Sequence, residues 1–472
     1  MKIGTSTASF PNPTPVLFLI TALAVFLWPD AMGLTATVVI AAVVFLMALA
    51  WFSKSPEASI LLVVAASAMP RIFLEIGGLK ARPEHLVSGL MLCAVPFLWK
   101  KRPEPVQWIL PDYLLMAYIA LTFLSSIFAS PEPSQTVKWA TQQVLAILPY
   151  FWLRVYISDQ ARLRKTFRFF LLTGMVVSAY AVCCFYSNIF FATEFGVEVA
   201  QYGDIPATYG VQFEANILGA YSGALAVMLL TMYLLERNRK YLMGCAFFGL
   251  VAMTVSLSRA ALGATVLGLL MVGVFAYKRK LLNARVVVSI ATAFLCAALL
   301  VLPFVFAHYT DRFSTIEISD PTADPNTLTR TVQAVTAWDE VAKHPVFGSG
   351  TASFQLAFDW HDFGAGWEEL GWIGNTELRV LHDMGVVGFL VFCLFIVSLV
   401  QRGWKLIKIE NNPELVALLT SAVVYVISFQ FTEGTLLAFT WVHLGMIGCA
   451  ISLNRKDAGT ENTQIQRTVH EI

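Results

Sequence analysis

The sequence predicts an all-α protein, a polytopic transmembrane helix bundle of about 14 spans (range about 12–14) with one large periplasmic loop. Three observations predict it. Hydrophobic residues make up 57% of the 472-residue chain and charged residues only 13%, far below the quarter usual in soluble domains. The apolar residues fall into runs of about 15 to 24, the length a helix needs to cross roughly 30 Å of hydrocarbon, not into the short alternating segments of a barrel. The stretch 308–374 interrupts the runs with Asp311, Arg312, Asp320, Asp324, Arg330, Asp339, Glu340, His344, Asp359, His361, Asp362, Glu368 and Glu369, and a bilayer cannot hold it.

Taken in order, the runs place spans at about 14–29, 33–52, 58–76, 85–99, 110–129, 139–158, 169–192, 215–235, 241–257, 260–277, 285–307, 375–401, 413–431 and 434–453, each ending at charged or turn residues. The domain plan is therefore 1–307 for spans 1–11, 308–374 for the loop, 375–453 for spans 12–14 and 454–472 for a polar, disordered tail. Residues 15–28 resemble a signal-peptide core, but Lys2 is its lone basic flank and a second apolar run follows, so they read as the first span. The basic clusters Lys54, Lys100-Lys101-Arg102, Arg162/Arg164/Lys165/Arg168, Arg237/Arg239/Lys240, Lys278-Arg279-Lys280, Arg402/Lys405/Lys408 and Arg455-Lys456 all land on one side of this plan. The positive-inside rule makes that side cytoplasmic, with both termini, and puts the loop outside, in the periplasm of a bacterial inner membrane. Glu132, Glu194, Glu198, Asp204 and Glu433 occupy the opposite turns.

The seven cysteines, Cys93, Cys183, Cys184, Cys245, Cys296, Cys393 and Cys449, each sit inside an apolar run. They read as small core residues, not a disulfide framework or a metal site. No basic patch interleaved with aromatics points to nucleic acid. No matched pair of broken spans gives the internal symmetry many transporters show.

Within the loop, Leu328, Val332, Val335, Trp338 and Val341 recur at helical spacing and predict an amphipathic helix on the outer membrane surface or on the bundle. His344-Pro345 ends it, and Phe347-Gly348-Ser349-Gly350 makes a turn. The aromatics Phe354, Phe358, Trp360, Phe363, Trp367 and Trp372 follow, an interfacial belt or a sugar-stacking surface.

Arg259 falls at a short outer turn between two apolar runs. A guanidinium there needs to snorkel or to meet an anion, and phosphate matches its fork best. Arg330 on the loop helix could likewise face headgroups or a lipid-linked phosphate. Arg71, four residues before Glu75, reads as a helical i,i+4 pair. Acid/base candidates gather where the loop re-enters the membrane: His361, Glu368, Glu369, Glu377, His382 and Asp383. Glu377 and His382 are five residues apart and so do not quite share a face. A solvated loop is rich in carboxylates anyway. Acidic residues do not occur at metal-ligand spacing, and no hydrolase, nucleotide or dinucleotide motif is present.

Four stretches carry a resemblance. Pro345-Val-Phe-Gly-Ser-Gly350 with Phe354 is similar to the PxxGxG…F turn in the large outer loop of the O-antigen ligase and Wzy-type O-antigen polymerase family. Gly374-Asn375-Thr376-Glu377-Leu378 with Gly385-Val-Val-Gly388 resembles its HN(S/T)xL segment and following GxxG. Ser258-Arg259-Ala260-Ala261 resembles its SRG/SRA segment, and Gly210 to Asn216 its GxFxxPN segment. Arg330 ahead of Trp338 and Pro345 fits an R…W…P spacing. The match covers roughly Gly210 to Gly388.

The resemblance implies a metal-independent, cofactor-free membrane glycosyltransferase of the GT-C type. Such an enzyme passes a glycan from an undecaprenyl-diphosphate-linked donor to an acceptor, another lipid-linked glycan in polymerases or lipid A core in ligases. It implies Arg259 and Arg330 as grips on the donor diphosphate, Asn216, Gly348, Gly350 and Asn375 as motif positions, and export or chain-length proteins of polysaccharide or exopolysaccharide assembly as partners. The family's histidine precedes the motif asparagine, yet position 374 is glycine. The GxFxxPN segment also lacks its arginine and proline, with Ala207-Thr208 and Ala215 in that region. Either Glu377, Glu369 or His361 serves as base, or the activity has diverged.

The function expected is thus an O-antigen or exopolysaccharide polymerase or ligase, with polymerase preferred for the span count and the missing histidine. The alternatives are a transporter of a small solute or lipid, and a non-catalytic scaffold of a polysaccharide assembly complex. A transporter predicts ionisable residues near the bilayer midplane, and the central parts of these spans are nearly free of them.

Overall fold

The computed structural model describes residues 55–76, 79–99, 105–198, 206–314, 325–356, 372–409 and 412–470. The predicted spans 14–29 and 33–52 lie outside the described residues, as do His361, Glu368 and Glu369. The chain divides into two compact units, residues 1–59 with 89–103, and residues 60–88 with 104–472. The contacts below belong to the second.

The described elements are α1 (Pro56–Ser67), the hairpin β1 (Leu74–Ile76) and β2 (Leu79–Ala81), α2 (Pro83–Trp99), α3 (Leu110–Phe128), α4 (Pro133–Tyr156), α5 (Gln160–Phe191), the short pair β3 (Val197–Glu198) and β4 (Ala207–Thr208), α6 (Ala215–Glu236), α7 (Arg239–Met243), a π-helical stretch (Gly244–Leu250), α8 (Val251–Val255), α9 (Arg259–Lys278), α10 (Ala284–Ser314), α11 (Pro325–Lys343), α12 (Thr376–Ile409), α13 (Pro413–Ser428) and α14 (Ala438–His470). Both strand pairs are antiparallel.

The starts follow from local chemistry. Proline opens α1, α2, α4, α11 and α13, where its missing N–H is not needed and its φ is already helical. Asp159, Ser258 and Asn412 cap α5, α9 and α13 by accepting from Arg162 N (2.8 Å), Ala261 N (3.3 Å) and Leu415 N (3.0 Å), which satisfies amides the first turn leaves open.

Six of the described helices, α3, α5, α6, α9, α10 and α12, are long and apolar enough to cross a membrane, and α1, α13 and the first part of α14 are shorter apolar helices. This is an all-α membrane protein. At its centre lies α6, whose apolar stretch is wholly buried. Glycine allows that closeness: a Cβ on Gly223 would stand 2.1 Å from Thr265 Oγ1 of α9, and one on Gly268 would meet Val227 of α6 at 2.8 Å, a small-residue contact typical of helices packed in lipid. Leu267, Leu270 and Val274 of α9, Val288, Leu295 and Leu299 of α10, and Leu390, Leu394 and Val397 of α12 are exposed instead.

Two ends are distinguishable. At one, Arg164 pairs with Glu414 (2.8 Å), Arg168 with Glu236 (3.9 Å), and Arg279 Nη2 donates to Ile407 O (3.1 Å), so the start of α5, the ends of α6, α9 and α12 and the start of α13 share the basic clusters. Near the start of α3, Arg154 grips Asp112 through Nε and Nη2 (2.9 and 2.8 Å), and Tyr150 donates to the same carboxylate (2.8 Å).

Several expectations change. The predicted span 58–76 is helical only to Ser67; beyond Pro70 the chain turns into the β1–β2 hairpin, so Arg71 cannot form a helical pair with Glu75. Its Nη1 donates to Phe213 O at 2.9 Å and its guanidinium stacks over Tyr209 at 3.5 Å. Helix α10 continues past 307 to Ser314, and α14 continues to His470, through a tail that contains no proline and one glycine, Gly459. All seven cysteines are free, and Cys93, Cys183 and Cys296 lie exposed on helix surfaces, not in a core, since a surface facing lipid accepts them as readily. The loop helix α11 forms as predicted, but most of its stripe is turned out: Leu328, Val335 and Trp338 (60% exposed) face away, while of the stripe only Val341 is buried, beside Gln333 and Ala337. Ala337 packs with Phe354, Ile373 and Leu378.

Candidate functional site

At the end away from the basic clusters, the starts of α6, α9 and α12 meet the loop between α13 and α14. Ser258 Oγ, one residue before Arg259, donates to Asn216 Oδ1 at 2.9 Å, which joins two segments the sequence singled out. Two residues earlier, Glu214 accepts from the Thr432 hydroxyl. Thr432 O accepts from Thr376 Oγ1 (3.3 Å), and Thr376 Oγ1 accepts from Gly434 N (2.9 Å). Arg330 on α11 stacks over Phe431 at 5.6 Å. The segments carrying Ser258 and Asn216 thus meet, Glu214 ties the second of them to the 430–434 loop, Arg330 reaches that loop through Phe431, and Arg259, half-buried, follows Ser258 in the chain.

Asn375 caps α12 by accepting from Leu378 N (2.8 Å), and its Nδ2 donates to Gln430 O (3.2 Å) and Oε1 (3.1 Å). Gln430 Nε2 donates to Glu377 Oε1 at 2.7 Å. The other carboxylate oxygen, Oε2, is buried and has no hydrogen-bond partner among the described residues. Gln333 of α11, 7% exposed, covers Gly374: a Cβ there would stand 3.2 Å from Gln333 Oε1. The place of the expected histidine is thus roofed by an amide from the loop helix.

The turn motif interlocks with α12. That helix is split by Gly385 (φ 63, ψ −169) into limbs on either side. Gly348 (φ +71) and Gly385 face each other's backbones: a Cβ on Gly348 would lie 2.4 Å from Met384 N, and one on Gly385 2.3 Å from Val346 O. Val386 N donates to Pro345 O (2.8 Å), Ser349 N to His382 O (2.9 Å) and Gly350 N to Asp383 O (3.0 Å). Gly350 (φ +92) also abuts Ser126 and Ser130 of α3 and the turn after it. The limb before Gly385 carries a buried charge network. Arg379 bonds Asp383 (3.4 Å) and Glu433 (3.1 Å) and stacks on Trp372 (5.2 Å); Asp383 holds His382 Nδ1 (3.0 Å) and accepts from Ala352 N (3.0 Å). His382 meets Phe354 edge-on at 5.4 Å. His382 and Asp383 fasten the turn, whereas Glu377 faces Gln430.

Two further arginines hold the Gly210–Asn216 segment. Arg71 binds Phe213 O, and Arg82 stacks over the Phe213 ring (4.8 Å) while donating to Glu84 (3.2 Å) and Leu436 O (2.9 Å). Gln333, Gln430, Arg82 and Arg379 were not singled out in the sequence. Gln430 carried a signal, an amide ending the apolar run 413–431. Among the described residues no group of His, Cys, Asp and Glu is arranged to hold a metal ion.

Fold and site together define a multi-pass α-helical membrane protein with a polar, arginine-flanked centre at one end of the bundle. Within it, residues 244–393 match the family model described as O-antigen ligase, Wzy_C. The match takes in Arg259, Arg330, the glycine turn and the first limb of α12 with Glu377. No curated protein matches the chain. The match supports a ligase- or polymerase-type function in broad terms.

Proposed function

We propose that the protein transfers a glycan from an undecaprenyl-diphosphate-linked donor to a glycan acceptor at the periplasmic face of a bacterial inner membrane, with both termini cytoplasmic. The observation that carries this reading is the convergence of the segments bearing Arg259, Arg330 and Glu377 on one short loop, 430–434, at the end of the bundle opposite the basic clusters. The two guanidinia supply the charge a diphosphate leaving group needs, and Glu377 supplies a base for the acceptor hydroxyl in place of a histidine. His361 and Glu369 remain candidates for that base. Polymerase is preferred over ligase, and lipid-linked glycan and chain-length or export proteins are the partners.

Deleting the gene in its host and resolving surface glycans by length tests the pathway: the reading predicts lost long chains or lost attachment, and an unchanged pattern refutes it. Arg259→Ala is expected to abolish transfer while the protein still inserts, and full activity there refutes the donor grip. The scaffold alternative draws on Gly374. It predicts that Glu377→Gln and Arg259→Ala leave glycans unchanged while truncation removes them. A transporter is tested by uptake into vesicles.

A further inference from the structure

Resting on the transferase reading with Glu377 as base, we infer that Gln430 is a positioning residue that fixes which oxygen of Glu377 accepts the proton of the acceptor hydroxyl.

Both donors of the Gln430 amide and its oxygen are engaged. Its Nε2 donates to Glu377 Oε1 (2.7 Å) and to Val426 O (3.1 Å), and its Oε1 accepts from Asn375 Nδ2 (3.1 Å). Reversing the amide would oppose two donors, so Asn375 sets its orientation. Asn375 is itself held through Oδ1 by Leu378 N (2.8 Å). The result is a relay from a helix cap through an amide to one carboxylate oxygen. Oε1 is held, and Oε2, buried and without a hydrogen-bond partner among the described residues, is the oxygen left to take a proton.

In the step this serves, the acceptor hydroxyl oxygen attacks the anomeric carbon of the donor. The bond from that carbon to the diphosphate oxygen breaks, and the lipid diphosphate leaves with the electron pair. The hydroxyl proton passes to Glu377 Oε2. A carboxylate free to rotate would present Oε2 to the hydroxyl only part of the time, and a small misplacement of a reacting group is costly in rate.

The test uses the full-length protein in nanodiscs with lipid-linked glycan extracted from the host strain, and reads kcat and KM from product ladders. Gln430→Leu is expected to lower kcat tenfold or more with KM within twofold and an unchanged thermal midpoint. Gln430→Glu, nearly isosteric, keeps an acceptor for Asn375 but loses the donor to Glu377, so it is expected to lose kcat equally; it carries the test if the leucine variant does not fold. In a Glu377→Gln background neither change is expected to reduce the rate further. Wild-type kcat in both Gln430 variants, while Glu377→Gln is inactive, overturns the positioning role and leaves the base intact. A loss confined to KM or to thermal midpoint also overturns it. Full activity of Glu377→Gln overturns the reading beneath it instead.

Discussion

The hydroxyl of Ser258 donates to the side-chain oxygen of Asn216 across 2.9 Å, two residues 42 positions apart that tie the start of α9 to the start of α6. Ser258 also caps α9, so this one side chain sets both where the helix begins and where Arg259 emerges. Asn216→Ala is expected to cost about 1 kcal/mol of stability, the usual worth of a side-chain hydrogen bond, but to cut glycan transfer roughly tenfold because Arg259 loses its register. Comparing the thermal midpoint in detergent with transfer rate checks this. A rate loss no larger than the stability loss explains would contradict it.

Arg154 and Asp112, 1% and 0% exposed at the side chain, form a buried pair whose remaining bonds go to Tyr150, Ser452, Gln107 O and Ile109 N (2.8, 2.8, 2.7 and 2.7 Å). Removing one partner strands the other charge in low dielectric. Arg154→Met is expected to destabilise by about 3–5 kcal/mol, whereas Arg154→Met with Asp112→Asn recovers most of the loss. Thermal melts of the single and double variants decide, and equal losses in both would show that the charge pairing is not what matters.

Gly348 and Gly385 lock the loop turn to α12 with positive φ and almost no room for a side chain. Alanine at either site is expected to cost about 1–3 kcal/mol in backbone strain before the clash is counted. Gly263→Ala on α9, where nothing lies within 4 Å of the added carbon, serves as the neutral control. Folded yield by size-exclusion chromatography reads the difference.

These glycines also show how far the sequence could be read. The helices α3 to α6, α9, α12 and α13 were legible because apolar run length and proline or capping starts act locally. The span 58–76 failed because its apolar residues continue past Ser67, while Pro70 and the β1–β2 pairing, a tertiary matter, end the helix. In the loop the apolar stripe of α11 was visible, yet the bundle takes the face with Gln333 and Ala337. The stripe says which residues avoid water and not which neighbour they meet. Arg259, Asn216, Asn375 and Glu377 were found as motif positions. Their joining through Gln430 and Thr432 was not, because those partners come from a loop more than 50 residues away.

Gln333 and Gly374 give a last test, since the amide oxygen of one sits 3.2 Å from where the other's Cβ would be. Alanine at 374 needs Gln333, a flexible side chain, to give by only a few tenths of an ångström, and Gly374→Ala is expected to retain near-normal activity. Histidine needs the volume Gln333 now fills, and overpacking of this kind costs about 1–3 kcal/mol. Gly374→His is therefore expected to displace α11 and lower transfer, and Gln333→Ala in the same protein to restore it by opening space for the imidazole. If the added imidazole can serve as a base, the double variant should also tolerate Glu377→Gln, which the parent protein should not. Transfer assays on these variants decide: a double variant no better than Gly374→His would mean that Gln333 is not what excludes a side chain from position 374.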